Sequence, residues 1–197
     1  LITPVKKLLA RWEAMDGERR GRQGDIIRAN ALVGLRDLGL DEATTTLHNA
    51  VLSAANLNRK APLFTRLFPK PLSQIVSMSL EAQLGVSRTL LHKLMQADTP
   101  TPIRKANEKP LKDAIAAGEA AIKSREAARA AAQELSTQIA GLREEANNVL
   151  LTLEGNLKTL AGRRGLGTAF VHAFFPAARP APKRSAAPEP APAPSPS

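Results

Sequence analysis

The stretch PLKDAIAAGEAAIKSREAARAAAQELSTQIAGLREEANNVLLTLEGNLKTLAGRR, residues 110–164, decides the fold class. After Pro110 it holds no further proline, and strong helix formers dominate it. Its second half carries Leu135, Ile139, Leu142, Ala146, Val149, Leu153, Leu157 and Leu160 at steps of three and four, a near-heptad stripe suited to packing along another long helix. Lys109 with Asp113, Glu119 with Lys123 and Glu154 with Lys158 lie four apart and support the helix from its outer faces. The pattern predicts either one helix, roughly 80 Å long if unbroken, or a helical hairpin of coiled-coil character folded near Gly118 or Gly141.

Upstream, Asp98-Thr-Pro-Thr-Pro102 is the best internal boundary, so residues 1–98 read as an N-terminal helical bundle and 99–109 as a linker and helix start. Thr3-Pro4 begins a first helix with Val5, Leu8, Leu9, Trp12 and Met15. Gly17, Gly21 and Gly24 should loosen the chain before Asp25 caps a second helix with Ile26, Ile27, Leu32, Leu35 and Leu38 on its inner face. Gly39 is then a stop, and Asp41 caps a third helix carrying Leu47, Val51 and Leu57. Pro62, Pro69 and Pro71 allow only a short turn around Leu63–Phe68. From Pro71 one helix should run to Met95, bent at Gly85.

Downstream, Gly165 and Gly167 end the long element, and Thr168 can cap a terminal turn with Phe170, Phe174 and Phe175, completing a segment of 110–175. Residues 176–197 hold eight of the fifteen prolines among Ala and Ser and are expected to form a disordered spacer. The fold class is therefore all-α: a helical bundle with a long C-terminal helix or hairpin and a Pro/Ala-rich tail. Aromatics make up only 3% of the chain, so the core must be built from Leu, Ile, Val and Ala.

The absence of Cys excludes disulfides, thiolate metal sites and thiol nucleophiles. His48, His92 and His172 each stand alone, outside any His-Glu-x-x-His or Glu-x-x-His pair. Gly162-Arg-Arg-Gly-Leu-Gly167 and Gly17-Glu-Arg-Arg-Gly-Arg-Gln-Gly24 follow no strand and lack Gly-Lys-Ser/Thr, so they read as helix stops and hinges rather than phosphate loops. No catalytic, metal or cofactor residue is assigned, and no small-molecule substrate is evident.

The formal charge of +10 is spread along the chain. Two stretches nonetheless lack acids. Between Glu42 and Glu81 the only charges are Arg59, Lys60, Arg66 and Lys70, beside Phe64 and Phe68. Between Glu154 and Glu189 they include Arg163 and Arg164, near Phe170 and Phe174. The four-apart Phe pairs are expected chiefly to plug helix ends, with the cations as a solvated rim.

These side chains, with Leu142 and Leu153 from the stripe, form the candidate interaction surface. The expectation is a cytoplasmic, non-catalytic scaffold or adaptor acting through a protein partner or self-association. The alternative is a nucleic-acid-associated basic protein. A peripheral membrane or granule protein comes third, although no apolar run reaches the ~20 residues of a span and the first ten residues lack a signal-peptide core.

Overall fold

The computed structural model describes residues 2–175, and every regular element among them is helical. In chain order these are α1 (Ile2–Ala54), α2 (Pro62–Leu67), α3 (Leu72–Val76), α4 (Leu80–Leu94), α5 (Thr101–Arg163) and α6 (Thr168–His172). The chain forms two compact units, one of residues 6–143 and one drawn from residues 144–175 with the first residues of α1. The tail from Pro176 lies outside the described residues.

The long C-terminal element is a single helix, and no hairpin forms at Gly118 or Gly141. It begins at Thr101, so Pro110 sits inside it. Pro110 withholds one backbone N–H there.

The three helices expected in the first 58 residues are also one. None of Gly17, Gly21, Gly24 or Gly39 has a positive φ, and Asp25 and Asp41, read from the sequence as caps, lie mid-helix. Each carboxylate has another use: Asp25 pairs with Arg28 at 2.5 Å, and Asp41 accepts a 2.7 Å hydrogen bond from Gln83 Nε2. Glycine costs a helix about 1 kcal/mol per residue, which packing along a long helix can override. Within the larger unit α5 supplies that packing. It runs antiparallel to α1, bringing Arg143 over the Trp12 ring at 5.7 Å and Ala127 and Ala131 beside Ala29 and Leu32.

The helix expected from Pro71 to Met95 is divided at residues 77–79. Ser77 Oγ donates back to Gln74 O at 3.3 Å, and Ser79 adopts extended backbone ahead of α4. The break has a packing reason. Ile75 and Leu80, five residues apart, would point about 140° away from each other on an unbroken helix, yet both are 2% exposed here.

Leu40, Leu47 and Val51 of α1, Phe64 and Leu67 of α2 with Phe68 just after it, Leu84, Leu90 and Leu94 of α4, and Leu111 and Ile115 of α5 close into one core. α4 lies antiparallel to α5, with Arg88 paired to Glu119 and Arg125 to Glu81. Gly118 permits the approach, because a Cβ there would meet Leu84 Cδ2 at 3.1 Å and Leu80 Cδ1 at 3.3 Å.

Helix ends are closed by the backbone. At the end of α1, Leu57 N–H donates to Leu52 O and Asn56 N–H to Ser53 O, a Schellman arrangement that leaves both residues at positive φ.

The glycines of α1 generate a test. A Cβ at Gly21 or Gly39 meets nothing within 4 Å, so Gly21→Ala and Gly39→Ala should each stabilise the chain by about 0.5–1 kcal/mol, raising Tm by about 1–4 °C. Gly118→Leu should destabilise by about 1–3 kcal/mol through overpacking, with partial recovery in combination with Leu84→Ala. Thermal melts followed by circular dichroism read all three.

Candidate interaction surfaces

The first basic stretch resolves into a core part, a clasp and a rim. Phe64 and Phe68, four apart, are 7% and 4% exposed and meet at 5.8 Å between ring centroids. His48 of α1 stands edge-on to both, at 5.3 and 5.0 Å. Its Nδ1 lies 3.3 Å from Asn49 Oδ1. This histidine, which stands alone in the sequence, is part of an aromatic plug.

Arg66 is a clasp between α2 and the α4–α5 connection. It pairs with Asp98 at 2.5 Å and donates to Gln96 Oε1 at 2.6 Å and Thr99 Oγ1 at 2.7 Å, while Lys93 Nζ donates to Arg66 O at 2.9 Å. Arg59, Lys60 and Lys70 are exposed. None of the three makes an ion pair among the described residues, and Arg59 and Lys70 border a cavity of about 700 Å³ beneath the Pro69-Lys70-Pro71 strap.

In the smaller unit, Gly165 at φ +65° ends α5. Leu166 N–H donates to Ala161 O at 2.9 Å and Gly165 N–H to Gly162 O at 3.3 Å. That is a helix stop, as the glycine spacing suggested. Arg163 and Arg164 on this turn are exposed. Phe170 and Phe174 of the terminal segment make an edge-to-face pair at 5.3 Å, but they remain 37% and 59% exposed while Val171 is buried.

The α5 stripe is buried unevenly. In the larger unit Leu135 and Leu142 are buried and Ile139 is half-buried, and in the smaller unit Ala146, Val149, Leu153 and Leu157 are half-buried and Leu160 is exposed. Leu142 and Leu153, grouped together by the sequence, therefore differ.

A second apolar surface lies on α1. Ile27, Leu35 and Leu38 were expected on an inner face with Ile26 and Leu32, yet they are 65%, 58% and 67% exposed. At 100° per residue they lie within about 80° of one another, on the side away from Ile26, Ala29 and Val33. Helix α1 thus carries apolar residues on two faces, and among the described residues only one is covered. The signal was present in the sequence, because those five positions span too wide an arc for a single buried stripe.

A cluster of ionisable and polar groups links α1, α4 and α5. Burial raises the pKa of Asp37, and the Asp41 and Glu81 carboxylates add to the rise. Glu81 is held below its usual range by its hydrogen bond from Arg125, against a smaller opposing push from burial. Next to them Thr44, Gln83 and Ser87 are completely buried, and among the described residues Thr44 Oγ1, Gln83 Oε1 and Ser87 Oγ have no hydrogen-bond partner. Among the described residues no group of three His, Asp or Glu is placed to hold a metal ion.

None of the family models, curated proteins and solved structures compared with this chain matches it.

Leu142→Asp should destabilise the chain by about 3–5 kcal/mol, because it places an unpaired charge at a site 3% exposed. Leu153→Asp, at a half-buried position, should cost less in the same denaturant titration. Asp37→Asn should raise Tm at pH 7. The folded state of the wild type disfavours the charged Asp37, so wild-type stability is penalised above the raised pKa and recovers as that carboxyl takes up its proton. The advantage of the variant should accordingly shrink as pH falls through the acid range.

Proposed function

We propose that the protein is a non-catalytic helical scaffold or adaptor that works by associating with another protein, a second copy of itself included. One observation carries this reading: the exposed apolar face of Ile27, Leu35 and Leu38 along the long helix α1. Ala31 and Gly34, also exposed, sit among them, so a partner helix could approach the backbone closely. Side chains of this size grouped on one helix face are a common mark of an interaction site, and their spacing suits an apposed helix.

A cytoplasmic location belongs to the same reading. No helix among the described residues is long and apolar enough to cross a membrane. The nucleic-acid alternative is weakened by the same geometry. Phe64 and Phe68 present no free ring face for a stacked base, and Arg66 is engaged by Asp98, Gln96 and Thr99.

Size-exclusion chromatography with light scattering tests the proposal directly. The wild-type chain should self-associate, or should retain a protein partner in a pulldown, and Ile27→Asp or Leu38→Asp should abolish that association. Because both side chains already face water, the helical circular-dichroism signal and the Tm should change little. A monomeric wild type whose protein contacts survive both substitutions would remove the support for this reading.

A further inference from the structure

The cavity under the Pro69-Lys70-Pro71 strap has the makings of a ligand site. At about 700 Å³ it falls within the range typical of small-molecule pockets. Its lining includes the plug of His48, Phe64 and Phe68, three rings 5.0–5.8 Å from one another. It is also lined by Arg59 and Lys70, and among the described residues no carboxylate lines it.

Arg59 and Lys70 contrast with those cations of the chain that form ion pairs. Arg19, Arg20, Arg22, Arg28, Arg66, Arg88, Arg125, Lys109 and Lys158 all reach an Asp or Glu. Arg59 and Lys70 cannot find one nearby in sequence, since the chain has no acid between Glu42 and Glu81. The Ser73 hydroxyl also lines the cavity and makes no side-chain hydrogen bond among the described residues. Two uncompensated cations and a free hydroxyl beside apolar aromatic rings ask for a molecule of matching polarity.

We infer that this cavity binds a small organic anion, an apolar or aromatic body bearing one carboxylate or phosphate. The anionic oxygens accept hydrogen bonds from Arg59, Lys70 and Ser73 Oγ, and the body rests against His48 and Phe68. A nucleic-acid strand does not suit the site, because the Phe rings are buried and leave little surface for a stacked base. The inference goes beyond the association reading, and its readout does not depend on oligomeric state.

The three histidines supply the assay. Imidazole C–H resonances of the full chain are followed by NMR during titration with phenyl phosphate, phenylacetate, inorganic phosphate and benzyl alcohol. Either or both aromatic anions should shift His48 saturably while His92 and His172 stay still, and the tighter of the two identifies the head group. Inorganic phosphate, which lacks the body, and benzyl alcohol, which lacks the charge, should bind at least about tenfold more weakly.

The Arg59→Ala/Lys70→Ala double variant should lose at least about tenfold in affinity for the aromatic anions. Both side chains are exposed, so its melt should match that of the wild type. Three results would overturn the inference: no saturable His48 shift up to millimolar ligand, equal shifts at all three histidines, or undiminished affinity in the double variant. Equal affinity for inorganic phosphate and phenyl phosphate would overturn the assignment of an apolar body.

Discussion

Leu40 and Leu47 of α1, Leu94 of α4 and Leu111 of α5 are wholly shielded from water, and the larger unit depends on the layer they share. A solitary helix of α1's composition, with five glycines between Gly17 and Gly39, would be marginal in water. Burial of its Leu40–Val51 face against α4 and α5 makes the continuous helix favourable. The insertion of α2, α3 and α4 between the two long helices is therefore more than a connection. It supplies the third side of the core, and Gly118 lets α4 come close enough to fill it.

Polar groups set how that insertion is oriented. Arg66 ties α2 to the α4–α5 connection through Asp98, Gln96 and Thr99, while Glu81 with Arg125 and Arg88 with Glu119 run between α4 and α5. Exposed ion pairs contribute little to stability, so these bridges specify alignment more than they add energy. The same region carries a cost. Thr44, Gln83 and Ser87 bury oxygens without a partner among the described residues, and each such group opposes the packing around it by roughly 1–3 kcal/mol. The α4 layer thus combines strong apolar burial with polar groups only partly satisfied.

Charge pairing on the helices also shapes which cations are left free. Some cations of α1 and α5 find a carboxylate one turn away, as Arg22 does with Glu18 and Lys158 with Glu154. The segment between α1 and α4 has no acids and cannot do so. Its cations either reach across to another element, as Arg66 does, or face solvent beside the cavity, as Arg59 and Lys70 do. A gap in acidic residues along the sequence thereby becomes a local concentration of uncompensated positive charge on the structure.

The all-helical class and the C-terminal helix stop at Gly165 were legible because they rest on local chemistry: helix-forming side chains, step sizes of three and four, and a glycine free to take positive φ. The short α2 was legible too, since Pro62 opens it and Pro69 prevents its extension. Continuity of α1 was not. Gly17, Gly24 and Gly39 weaken a helix, but whether they end one depends on how well the rest of it is packed. The break at Ser77–Ser79 was missed for the converse reason, since only the demand to bury both Ile75 and Leu80 makes an interruption worthwhile.

By itself, then, the sequence determined the all-helical class, the helix stop at Gly165 and the proline limits of α2, and where cations lack acidic neighbours. Those properties arise from each residue's own conformational preference and from partners within a turn or two. The tertiary structure decided which of α1's two apolar faces is covered, that Leu142 is buried while Leu153 is only half so, that Arg66 is a clasp, and that His48 joins Phe64 and Phe68 beneath a cavity. Each of these depends on contacts between residues far apart in the chain, and helical periodicity alone cannot say which faces will meet.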